Sequence, residues 1–133
     1  LFRLVREEQG LAYATGSFYP TRRRGSHLVM YAGTRPEQAD SVLALFATAI
    51  TDATLEELAD AKRLIKGEFA LDHERVDRRA WYLGWFEALG LDADYDGRYA
   101  RLIDEVTLAE TNRLLARLRA EPPLILIHGG VSP

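Results

Sequence analysis

The stretch LVREEQGLAYATGSFYP, Leu4 to Pro20, changes its period halfway along. Leu1, Leu4 and Val5 recur at helical spacing over LFRLVREEQ, residues 1–9. From Leu11 the pattern alternates. Leu11, Tyr13, Thr15, Ser17 and Tyr19 fall on one face of a strand, and Ala12, Ala14, Gly16 and Phe18 on the other. Gly10 stands at the junction, where helices commonly end in left-handed backbone that glycine tolerates best. A helix that passes into a strand across one glycine places Arg6 and Tyr13 on either side of a sharp reversal. Arg6, in the last helical turn, suits the negative end of the helix dipole. Tyr13 suits a half-buried strand.

Working outward, Pro20 ends the strand, TRRRGS (21–26) is a polar connector, and HLVMYAG (27–33) is a second strand. The two strands form a hairpin with a basic tip. TRPE (34–37), TLEE (54–57) and TLAE (107–110) each fit the capping box, in which a threonine hydroxyl and the glutamate three residues on satisfy two early N–H groups. Helix 35–51 carries its stripe on Ala39, Val42, Leu43, Phe46 and Ile50, and helix 55–72 on Leu58, Ala61, Ile65 and Phe69. Residues 76–89 form a helix with Trp81, Trp85 and Phe86, and Gly90 stops it. LDADYDGRYARLIDEV (91–106) holds a short helix, 108–119 another. PPLILIHGG (122–130) reads as a closing strand buried on both faces. The order is α-β-β-α-α-α-α-α-β, a single α+β domain spanning 1–133.

The bounds agree with that size, since 133 residues amount to about one domain. A net charge of −3 with mixed signs argues against a nucleic-acid scaffold. No apolar run approaches the ~18 residues of a membrane span. With no cysteine, disulfides and thiolate zinc sites are excluded. A start at Leu1, inside a helical pattern, reads as part of a longer chain. His27, His73 and His128 include no pair four residues apart, as a helical zinc site requires, and HERVD (73–77) has no second histidine. HGGVSP (128–133) lacks the lysine of a phosphate loop, there is no Gly-x-Ser-x-Gly elbow, and Ser26 and His27 are adjacent rather than facing. From the residues alone, this chain carries no catalytic set.

Several segments in register resemble one family. LFRLVREEQGLAYATGSF (1–18) resembles the opening of the second half of a domain in the insulinase/pitrilysin family of zinc metallopeptidases, whose zinc motif is the inverted His-x-x-Glu-His. YAGTRPEQADSVL (31–43) is similar to that domain's strand-to-helix turn. EELADAKRLIKGEFALDHERVDRRAWYLGWFEALG (56–90) resembles its long helix pair, IDEVTLAETNRLL (103–115) its Val-Thr helix, and PPLILIHGGVSP (122–133) its closing strand. The resemblance implies an α+β two-layer sandwich, a mainly antiparallel sheet packed against helices, here without its amino-terminal part. It implies a domain of the type that lacks the zinc motif. Zinc is then expected on a partner domain or subunit, with no cofactor on this chain. Arg6 and Tyr13 match an Arg and a Tyr, seven residues apart, that such domains contribute across the interface to the partner's site. The Tyr13 hydroxyl would donate to the oxyanion formed on a peptide substrate, and Arg6 would hold a substrate carbonyl or orient that hydroxyl. Glu56 and Glu57 read as capping and surface residues. The expected partners are the zinc-bearing domain and a peptide, with no nucleic acid and no membrane, and self-association of these residues on their own. The alternatives are an architectural, inactive family subunit, or a free-standing peptide-binding module.

Overall fold

A computed structural model describes residues 10–92 and 94–129. The expected helix over 1–9, and with it Arg6, lies outside the described residues. Two strands and five α-helices follow in order: β1 (Ala14–Phe18), β2 (Val29–Gly33), α1 (Ala39–Ala49), α2 (Leu55–His73), α3 (Val76–Leu89), α4 (Tyr95–Glu105) and α5 (Leu108–Ala120). The fold is mixed α and β. It divides into two compact units. One holds the hairpin, α1 and residues 115–129; the other holds α2, α3, α4, the first turns of α5 and Arg22–Arg24.

In the first unit β1 and β2 pair antiparallel, Ala14 opposite Gly33 and Phe18 opposite Val29. The connection between them, residues 19–28, is long, and Gly25 takes the left-handed conformation (φ 69°) that its turn needs. Alternation does not extend back to Leu11, because the chain bends at Tyr13. Ala12, only 7% exposed, packs with Val42 of α1, and Leu11, Ala32, Leu45 and Phe46 close around that pair. Ala32 sits opposite Thr15 and so shares its face. Ala12 therefore joins the face of Thr15, and the two-face division expected from Leu11 onward holds only within β1.

TRPE does not form a capping box. The Thr34 hydroxyl instead donates to the Leu11 carbonyl, tying the turn after β2 to the segment before β1. A 3₁₀ turn begins at Pro36, α1 follows from Ala39, and the cap of that turn, Arg35, makes no side-chain bond. The fixed φ of Pro36 starts the turn without one.

The second unit is helical. Thr54 caps α2 in a full capping box: Glu57 N–H donates to its hydroxyl oxygen (3.2 Å), and its own N–H donates to the Glu57 carboxylate (2.8 Å). Thr107 and Glu110 repeat the arrangement at α5. Gly90 (φ 79°) ends α3, and the Leu91 N–H reaches back to the Phe86 carbonyl at 3.0 Å. Helices α2, α3 and α4 pack on one another.

The covered stripe of α2 is rotated from the expected one. Leu58 and Phe69 are covered, but Ala61 and Ile65 are exposed, and Lys62 and Lys66 take their place. Both lysines reach the end of α4, Lys62 to the Asp104 carbonyl (2.8 Å) and Lys66 to the Asp104 carboxylate (2.5 Å). Cations suit the carbonyl-rich end of a helix, and their aliphatic stems cover apolar surface on the way. Residues 122–129 do not form a strand with any described residue and are exposed throughout. Their composition is that of a buried strand, but composition supplies no neighbour to pair with.

Candidate functional site

Of the two candidate site residues, Tyr13 is described. It stands at the entrance to β1, 74% exposed, and its N–H donates to the Gly33 carbonyl at 3.1 Å. Its ring lies flat over Gly33. A Cβ placed on Gly33 would sit 2.8 Å from Tyr13 Cε2 and Cζ and 2.9 Å from the hydroxyl. Only glycine leaves room for the ring in that position. Two residues along, Tyr31 covers Gly16 in the same manner, with its hydroxyl 2.7 Å from a Cβ placed there. Gly33, Tyr31, Gly16 and Phe18 share one face by register, and the Phe18 and Tyr31 rings are 6.3 Å apart. The hairpin thus presents an exposed aromatic face of Tyr13, Tyr31 and Phe18, opposite the face that packs on α1.

This geometry has chemical meaning. A tyrosine buried in a core spends its hydroxyl on a protein partner. Tyr13 is instead 74% exposed, with its ring and hydroxyl lying over the Gly33 backbone. A hydroxyl outside the core is the kind of donor that can stabilise a developing oxyanion. Sequence reasoning singled out Tyr13 but missed Tyr31 and Gly33. Two glycines set against two tyrosines mean nothing until the strand register places them together.

The second unit holds a network that sequence reasoning also missed. Asp72 accepts from Arg78 (2.6 Å) and from the Tyr82 hydroxyl (2.9 Å). These two bonds, Arg78 first, hold its carboxyl below the ordinary 3.8. Burial, then the Asp72 bond, pushes the Tyr82 hydroxyl up, and burial does the same for Tyr99. Both ring nitrogens of His73 face acceptors, the Phe69 carbonyl at 2.7 Å and the Asp96 carboxylate at 2.9 Å. The Phe69 ring lies tilted against His73 at 3.8 Å and stacks on Tyr99 at 4.2 Å. Asp72 of α2 bonds Arg78 and Tyr82 of α3, and His73 of α2 bonds Asp96 of α4, so these contacts tie α2 to α3 and α4. His27 bonds to the Gly25 carbonyl at 3.3 Å, and His128 is exposed. Among the described residues no three His, Asp or Glu side chains gather as a metal ion needs. Glu57 serves in the Thr54 cap, and Glu56 lies exposed in the same first turn.

The Asp72 pair makes stability depend on pH with a definite sign. A carboxyl whose folded value lies below its unfolded one contributes stability above about pH 4, and that contribution is lost as acid protonates it. Asp77, held down by Arg75, and Glu110, held down by Thr107, act in the same direction. The urea midpoint of the protein should therefore fall between about pH 5 and pH 3. Asp72→Asn should fall less over the same interval. Parallel pH profiles for the two proteins would show that the Asp72 pair does not survive in solution.

No family model matches the sequence, and no curated protein does.

Proposed function

We propose that this chain is the substrate-binding, site-completing half of a zinc-dependent metalloendopeptidase. The reading rests on the resemblance of its segments to the zinc-free domain of the insulinase/pitrilysin family, and one structural observation supports it: the exposed Tyr13, its ring lying over Gly33. In this reading the hairpin belongs to a larger, mainly antiparallel sheet packed against helices, a two-layer sandwich of which these residues form the later part. The aromatic face turns toward a partner that carries His-x-x-Glu-His and zinc. The zinc, when bound there, supplies an activated water. On this chain Tyr13 donates to the oxyanion, Arg6 holds the substrate carbonyl or steadies that donor, and the open strand edge takes an extended peptide.

A second reading, an inactive subunit used for assembly, draws on a different observation. Leu64 and Leu71 of α2 and Val76 of α3 are exposed to 62%, 66% and 81%. Apolar side chains in such number suit surfaces covered by another chain.

One experiment separates the two. Cleavage of a quenched fluorescent peptide is measured with the complete domain alone, with the neighbouring His-x-x-Glu-His domain alone, and with both. Activity confined to the mixture supports the peptidase reading. Equal activity of the zinc domain alone leaves only the assembly role.

A further inference from the structure

The helical unit carries an inference independent of the peptidase reading. His73 stands in the last turn of α2, and Asp96 in the first turn of α4. Their side chains meet at 2.9 Å, Nε2 to carboxylate, and are 16% and 24% exposed, so water screens the pair little. On the other side of the ring Nδ1 faces the Phe69 carbonyl at 2.7 Å. A carboxylate and a carbonyl only accept, so both ring nitrogens have to donate. A neutral imidazole has one N–H, and only the imidazolium has two. The arrangement therefore calls for a protonated ring. Two further features favour that charge. A cation in the last turn of α2 and an anion in the first turn of α4 each suit the helix end on which they stand. The Phe69 ring lies against His73 with centroids 3.8 Å apart, within the range at which aromatic electrons attract a cation.

The other ionisable groups nearby are engaged elsewhere or exposed. Asp72, beside His73 on α2, is bonded to Arg78 and Tyr82 of α3, and Arg75 is bonded to Asp77. Glu68 and Glu74 are exposed. Tyr82, its ring 4.9 Å from His73, and Tyr99 of α4, stacked on Phe69, have hydroxyls that burial pushes up, so both stay neutral. We propose that His73 and Asp96 form a proton-dependent latch, which holds the first turn of α4 against α2 and releases it as the pH rises. That turn has no side-chain cap at Asp94. The other end of α4 is held through Asp104 by Lys62 and Lys66, a contact without a histidine. Histidine is the side chain that ordinarily changes charge between about pH 5 and pH 8. Loss of the proton leaves a ring lone pair facing the carboxylate or the carbonyl, and one of the two bonds is lost. A proton that the folded contact needs contributes stability below histidine's range, and that contribution is lost as the pH rises through it. The sign is opposite to that of the Asp72 pair, and the pH window lies above it.

The test is residue-by-residue amide hydrogen exchange, joined to nitrogen NMR of the imidazole rings, on the full chain between about pH 5.5 and pH 8. His73→Gln removes the titrating ring. Asp96→Asn removes the charge but keeps an acceptor for a neutral ring, so it reads the latch even where His73→Gln loosens the unit. At the acid end both His73 nitrogens should carry protons. The Arg98 N–H donates to the Asp94 carbonyl at 3.2 Å, and Tyr99 follows it in the same turn. Protection of these two amides, relative to the unstructured rate at each pH, should fall about 10-fold over the interval in the parent. It should stay level in both variants, and protection over 102–105 should not change in any of the three. A His73 ring with one N–H at the acid end overturns the proposal, and so does a parent whose protection of Arg98 and Tyr99 ignores pH. A pH-dependent loss that persists in either folded variant assigns the effect to another group and overturns it. An equal loss throughout α4 overturns it as well, since the whole helix and not its first turn is then released.

Discussion

On the proposed peptidase reading, Tyr13→Phe, assayed together with a His-x-x-Glu-His domain, is expected to lower kcat by about 10²–10³-fold with little change in KM. The substitution removes one oxygen and keeps the ring. Tyr13 is 74% exposed, so the fold loses no buried hydrogen bond and stability should shift by less than about 0.5 kcal/mol. A donor that acts only on the oxyanion contributes in the transition state alone, which is why kcat falls and KM does not. Gly33→Ala supplies a second, sharper arm. An alanine Cβ would lie 2.8 Å from the Tyr13 ring, and the ring is the part able to move. The hydroxyl is then present but displaced, and a displacement near 1 Å in a positioned group can cost about 10²-fold. Strand stability should hold or rise, since glycine is the weaker strand former. Loss of rate in both variants, with unchanged thermal unfolding, assigns the effect to hydroxyl position. Full activity in Tyr13→Phe removes the oxyanion role and leaves the assembly reading.

What could be read from the sequence follows from where the information sits. The helix pair α2–α3 was legible because caps are local: Thr54 with Glu57 and Gly90 with Phe86 are set by residues three or four apart. The rotated stripe of α2 was not legible, because apolar Ala61 and Ile65 outrank lysine in any periodic pattern. Lys62 and Lys66 win only through Asp104, some forty positions away in the chain. Thr34 shows the same limit. Its local signal is a capping box, and a carbonyl twenty-three residues earlier takes its hydroxyl instead. The closing strand failed for a related reason: strand propensity belongs to a segment, but a strand exists only as a pair. For the site, sequence picked out Tyr13 through a resemblance. The glycine that holds its ring became visible only with the register of β1 on β2. Long-range partners, not local propensities, were the missing quantity in every case.

Phe86→Ala is the substitution expected to cost most in stability, about 3–5 kcal/mol. Phe86 is 7% exposed and lies among aromatic rings contributed by two helices. Its ring meets Tyr95 of α4 edge-on at 4.8 Å, Tyr82 of α3 at 5.8 Å and Tyr99 of α4 at 6.3 Å. Phe69 of α2 joins the same cluster through Tyr82 and Tyr99, so one ring touches the residues that hold three helices together. Rings held by helix backbones cannot collapse freely into the space left by alanine, which places the cost toward the upper end for a large-to-small change. Trp81, half exposed and stacked on Trp85 at 5.6 Å, is the comparison. Trp81→Ala loses that stack, the edge contact with Tyr82 at 5.1 Å and the Arg78 guanidinium over its ring, and should cost about 1–2 kcal/mol. Urea unfolding followed by tryptophan fluorescence measures both effects where they occur. The chain has two tryptophans, and both stand on α3 within five residues of Phe86, so the signal reports the helical unit itself. A midpoint for Phe86→Ala no lower than that for Trp81→Ala would mean that the ring seen among three tyrosines is not the centre of that unit, and that α3 is held chiefly by the Asp72 bonds to Arg78 and Tyr82.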